Sequence, residues 1–191
     1  MNNAMQETPF GFELGHNEQI ARTGQIVELV CAILERAKQR IRSELIVDGR
    51  IDGTQLEKQQ HACHGLAWLA TYTEALRQLH NYAERMSIEG RYGALEGLLV
   101  ELGFQEYIAQ IFGGIPMSQS EFVRLTDLGL TPSDIAEFRR APVVQILSAP
   151  NGASLREQAV EVIRGSDGAA TVGASGLEDT YDAMRDEMRR F

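Results

Sequence analysis

The sequence predicts an all-α protein: an antiparallel bundle of long helices with shorter helices attached. Three observations predict it. Apolar residues recur at spacings of three and four along three long stretches, the period of a helix with a buried stripe. A Ser or Thr stands three residues ahead of a Glu or Asp at Thr54, Ser118, Thr131, Ser154 and Ser175, the spacing at which a hydroxyl and a carboxylate satisfy the first backbone N–H groups of a helix. No stretch alternates with period two for long enough to make a sheet, Ser87-Ile88 and Val143–Leu147 being the only candidates.

Residues 1–16 carry Pro9, Gly11 and Gly15 and are expected to form a mobile arm. The bundle is expected over 17–164. Its first helix opens at Asn17 as cap, carries Ile26, Val30, Ile33, Leu34, Ala37, Ile41 and Leu45 on one stripe, and stops at Asp48-Gly49. After a turn at Ile51-Asp52-Gly53, the Thr54/Glu57 pair opens a long helix to Ile88. Leu66, Leu69, Thr73, Leu76 and Ala83 line one side of it; Trp68, Tyr72, Ala75, Leu79, Tyr82 and Met86 line another. An arc that wide places this helix centrally.

A third helix is expected from Tyr92 to Phe112, with Leu95, Leu98, Leu99, Leu102, Ile108 and Ile111 on its stripe. A glycine inside a helix costs about 1 kcal/mol relative to Ala, so Gly97 and Gly103 mark close packing, or a break near Gly103; the sequence leaves both open. Gly113-Gly114-Ile115-Pro116 ends the helix. Short helices follow: Ser118 to Leu128, closed by Gly129; Thr131 to Arg140; a piece from Pro142; and Ser154 to Arg164. Residues 165–176, rich in Gly, Ala and Ser, read as a flexible linker. Residues 177–191 form a last amphipathic helix with Leu177, Tyr181, Met184, Met188 and Phe191 on one face, a stripe that folds back, binds a partner, or opens something longer.

Composition excludes several classes. The 191 residues hold 18 Lys+Arg against 27 Asp+Glu, a net charge of −9, which argues against a nucleic-acid binder. No apolar run reaches the roughly 18 residues that span a bilayer, and the N-terminus has no apolar segment of the secretory kind. Cys31 and Cys63 are expected to be reduced thiols in a cytoplasmic protein.

Few residues carry a chemical signal. Glu57, His61 and His64 fall at i, i+4 and i+7, a spacing that can chelate a divalent cation, but no fourth ligand is near in sequence; they read as a solvated face, and no metal is expected. Cys63 beside them lacks an orienting acid and reads as a small core residue. No dinucleotide-binding or Walker glycine pattern is present. Gly113-Gly114, one turn after Gln110, is a sharp helix-ending turn or a place where a ligand or another backbone approaches.

Three segments together carry a family resemblance: HACHGLAWLATYTEALRQLHNYAERM, LGFQEYIAQIFGGIPMSQSEFVRLTDLGL and DTYDAMRDEMRRF. Over roughly residues 20–191 they resemble an N-terminal extension of the flavin-dependent acyl-CoA dehydrogenase family. Within it, Gln110-Ile111-Phe112-Gly113-Gly114-Ile115 resembles the Q-x-x-G-G-x turn of that family's C-terminal helical domain, which contacts FAD. The resemblance implies that 17–128 is a copy of that helical bundle, with Gln110, Gly113 and Gly114 as its cofactor-facing residues. It assigns no catalytic residue, since the family's glutamate base is not recognisable downstream. It implies that Leu177–Phe191 corresponds to the first helix of the family's catalytic core. The chain would then be a noncatalytic accessory domain whose partner is that core, on the same polypeptide or a separate subunit, with a homo-oligomer also possible. The whole enzyme would oxidise a branched C5 dicarboxylyl-CoA with FAD. The alternative is an independent helical module binding FAD, CoA or a protein.

Overall fold

The computed structural model describes residues 15–148, 151–166 and 179–190. In chain order the elements are α1 (His16–Leu45), β1 (Ile46–Val47), β2 (Arg50–Ile51), α2 (Gly53–Lys58), α3 (Gln60–Ile88), α4 (Ala94–Gly113), β3 (Ile115–Pro116), β4 (Phe122–Val123), a 3-10 turn (Leu125–Leu128), α5 (Pro132–Arg139), α6 (Pro142–Leu147), α7 (Gly152–Gly165) and α8 (Asp179–Arg189). The fold is all-α, with two antiparallel pairs of two-residue strands among the described residues.

Long-range side-chain contacts set the helix directions. Thr23 Oγ1 lies 2.9 Å from His80 Nδ1, Arg77 donates to Cys31 Sγ at 3.2 Å, and Gln59 donates to Glu44 at 2.5 Å, so α1 and α3 run antiparallel. Tyr72 meets Gln110, and Gly103 meets Leu79, so α3 and α4 do too. Gln105 Nε2 donates to Asn151 Oδ1 at 2.9 Å, which starts α7 beside the middle of α4. Helices α1, α3 and α4 therefore alternate in direction, as in an antiparallel bundle, and α7 packs against α4. Ile26, Val30, Ile33, Leu69, Leu76, Val100, Phe104 and Ile111 fill the bundle's centre.

One polar knot interrupts that core. Arg22 and Glu101, both buried, are ion-paired between α1 and α4. Gln19 donates to Glu101 at 3.2 Å and to the Gly97 carbonyl at 3.0 Å, and the Tyr92 hydroxyl donates to Gln19 Oε1 at 2.8 Å. These bonds offset the desolvation of the two charges.

Gly103 lies within an unbroken α4, and a Cβ there would stand 2.5 Å from Leu79 Cδ2, so close approach to α3 is the reason for the glycine. Several sequence expectations are corrected. Gly15, not Asn17, sits at the N-cap of α1, its carbonyl accepting the Glu18 N–H at 2.8 Å. Asp48-Gly49 does end α1's segment, but as the tip of a hairpin, with φ of 49° and 77° at its two central residues. The helix expected from Thr54 is two helices: Asp52 caps α2 by accepting the Gln55 N–H at 2.8 Å, and Gln59, at φ −101° and ψ 15°, separates it from α3. Helix α4 begins at Ala94 instead of Tyr92.

The helix expected from Ser118 is replaced by the β3–β4 hairpin and the 3-10 turn. The Glu121 carbonyl accepts the N–H of Met117 at 2.8 Å and of Ser118 at 3.3 Å, which closes the hairpin loop and pairs Ile115 with Val123, both buried. Tertiary burial overrides a local cap signal here. Asn151, not Ser154, stands at the N-cap of α7. The two strand candidates are helical, in α3 and α6. Of the expected arm, residues 1–14 lie outside the described residues while His16 is helical; of the expected linker, 165 and 166 finish and cap α7, and the rest lies outside the described residues.

Candidate functional site

The end of α4 is where the sequence-predicted site residues gather. Gln110, on the last turn, accepts the Tyr72 hydroxyl proton through its side-chain oxygen at 2.6 Å. Tyr72 is buried in α3, and its ring meets that of Tyr107 edge-on at 4.8 Å. Burial, then the neighbouring Tyr107, pushes the Tyr72 phenol above its ordinary value, so it stays a neutral donor. The ladder continues along α3: Trp68 stands edge-on to Tyr72 at 6.4 Å and gives its indole proton to His64 Nε2 at 3.0 Å.

Gly114 follows with φ 133° and ψ 124°, a conformation L side chains rarely adopt, and its N–H donates to the Gln110 carbonyl at 2.8 Å. It lies against the β3–β4 hairpin: a Cβ there would be 3.8 Å from Arg124 Cγ and from Phe122 Cβ. Gly113 is exposed, with nothing within 4 Å of where a Cβ would sit. The glycine pair is a helix-ending turn at Gly114, with open space beside Gly113.

Beside Gly113 a groove of about 530 Å³ runs between α4 and α6. Ile108, Phe112, Val144 and Leu147 are among its lining. Arg139 of α5 stands at its rim, donating to the Phe112 carbonyl at 2.8 Å and lying over the Phe112 ring at 5.3 Å. A guanidinium on the last carbonyls of a helix neutralises the negative end of its dipole. Sequence reasoning did not connect Arg139 or Tyr72 with this site, since neither separation, 29 and 38 residues from Gln110, leaves a local trace.

The other candidates are drawn apart. His61 faces Glu121 at 3.2 Å from its Nδ1, and His64 faces Trp68. Glu57 lies in α2, across the break at Gln59, which destroys the shared helix face. Among the described residues no group of three or more His, Cys, Asp or Glu could hold a metal ion. Cys31 and Cys63 are free, half-buried thiols. No described helix is long and apolar enough to cross a membrane.

Fold and site together define a helical bundle domain with a double-glycine turn at the end of one central helix and an apolar groove beside it. No protein-family model matches the chain. Over 160 residues, 84% of its length, the chain is 41% identical to (2S)-methylsuccinyl-CoA dehydrogenase from Cereibacter sphaeroides. It covers only 28% of that enzyme, so it is similar to a part of it.

Proposed function

We propose that the chain is a noncatalytic helical accessory domain of a flavin-dependent acyl-CoA dehydrogenase. The observation that carries this is the asymmetry of the match: most of this chain, yet about a quarter of a dehydrogenase. The exposed stripe of α8 supports it, since Tyr181, Met184 and Met188 are 57%, 60% and 78% exposed and have no cover among the described residues. The partner is the catalytic core, on the same or a separate polypeptide. The assembled, cytoplasmic enzyme would oxidise methylsuccinyl-CoA to mesaconyl-CoA, FAD accepting the electrons.

This chain's contribution to a flavin site is an edge. Gln110 spends its oxygen on Tyr72 and has its amide NH₂ without a partner among the described residues, Gly113 offers open backbone, and Gly114 has its N–H engaged and is backed by the hairpin. Such an edge fits a flavin held mainly by another polypeptide. The domain limits we assign run from the start of α1 to the end of α7 for the bundle, with α8 as a separate terminal helix.

The test is a hybrid in which this chain replaces the matching stretch of the Cereibacter sphaeroides enzyme. We expect methylsuccinyl-CoA oxidation close to the parent's. A hybrid no more active or stable than the enzyme lacking the stretch overturns the proposal.

A further inference from the structure

The geometry points to one outer face, made by α4 and α7, as the surface on which the catalytic core sits; this rests on the accessory-domain reading above. Helix α4 carries apolar residues beyond its bundle face: Val100, Phe104, Ile108 and Ile111 face the bundle, and Leu99 opens to solvent on another ridge.

The exposed residues of the two helices belong to a single surface. Arg156 of α7 is ion-paired with Glu106 of α4 across the outside of the helix pair. Leu99 stands on the same ridge as Glu106, two turns earlier. Val160 and Ile163 stand on the same side of α7 as Arg156, one and two turns later. Both sets therefore lie on the outer surface of the α4–α7 pair, on the side marked by that ion pair. Leu99, Val160 and Ile163 are 39%, 45% and 43% exposed. The ion pairs bordering this patch, Arg156–Glu106 and Arg164–Glu161, neutralise themselves, so the patch suits an apolar surface and not a charged ligand.

Position says what covers it. Ile163 is two residues from Gly165, the end of α7, and the polypeptide that leads on to α8 departs there. A body tethered to this edge is held at high effective concentration over the patch. The relative places about three quarters of its length outside the matched part, ample to supply such a body. The occupant is therefore the catalytic core, and the patch and the α8 stripe together fasten the two.

The experiment uses the hybrid enzyme with Val160→Glu/Ile163→Glu, and with Leu99→Glu. Each should lower the hybrid's thermal midpoint while leaving that of the separate 191-residue chain unchanged. Hydrogen exchange on the unsubstituted hybrid should show slower exchange over the last two turns of α7 than in the separate chain. An active, stable hybrid that is indifferent to these substitutions and unprotected in α7 overturns this inference but leaves the accessory-domain reading standing. A hybrid no better than the enzyme lacking the stretch overturns that reading and this inference with it.

Discussion

A missing methyl group positions the hairpin beside the site. A Cβ on Gly65 would stand 2.4 Å from Val123 Cγ2 and 2.9 Å from its Cβ, and Val123 is fully buried and stiff about χ1. Gly65→Ala should gain about 1 kcal/mol of helix propensity yet lose more to overpacking, typically 1–3 kcal/mol. Urea unfolding should therefore show a net loss, reduced when Val123→Ala is added; a stabilised single variant would contradict the packing described. The buried Arg22–Glu101 pair behaves differently. Glu101→Ala strands a buried guanidinium and should cost about 3–5 kcal/mol, whereas Arg22→Met with Glu101→Leu should unfold close to the parent. Equal losses in both would show that the pair holds the helices by attraction and not by mutual compensation. Arg22 was partly legible: it falls in register with Ile26, Val30, Ile33 and Ala37 on the apolar stripe of α1, where a charge needs a partner. Which residue 79 positions away answers it was not.

Local cap signals were read with mixed success: Thr131 caps its helix as expected, whereas Gly15, Asp52 and Asn151 stand at the caps expected at Asn17, Thr54 and Ser154. Thr131-Pro132-Ser133-Asp134 opens α5 as its sequence says, with Thr131 Oγ1 accepting the Asp134 N–H at 3.1 Å and Asp134 accepting the Thr131 N–H at 2.9 Å. Ser118 and Glu121 have the same spacing, yet Ile115 and Val123 gain more by pairing against the Gly65 notch than a helix would give them. The α5 cap predicts a pH effect. Hydrogen bonds from Thr131, then the Arg36 guanidinium, hold the Asp134 carboxyl below its ordinary value of 3.8. A depressed carboxyl stabilises the fold above its unfolded pKa, and that share disappears as pH falls through the folded pKa. The stability difference between the parent and Asp134→Asn should thus be full near neutrality and close below pH 3.8, as followed by denaturant titration across the acid range. A gap that persists at the acid end would sink this assignment. Helix α8 supplies the contrasting case: it has no buried residue, and its apolar stripe is exposed. Removing 177–191 should leave the melting temperature unchanged by circular dichroism, and a marked drop would mean the helix folds back on the body.

For the whole molecule, the bundle was legible because three- and four-residue spacing survives in the long helices α1, α3 and α4. The candidate site was half legible. Gln110, Gly113 and Gly114 are read off the chain, whereas the Tyr72 lock, the Arg139 rim and the groove exist only once α3, α5 and α6 arrive. The account holds that this polypeptide carries helix faces made for a catalytic partner and performs no oxidation alone. The most direct test is to incubate the purified chain with FAD, methylsuccinyl-CoA and a dye acceptor, remove free flavin, and record visible absorption and dye reduction together. We predict a colourless protein without turnover; stoichiometric flavin absorbance accompanied by dye reduction would contradict the account.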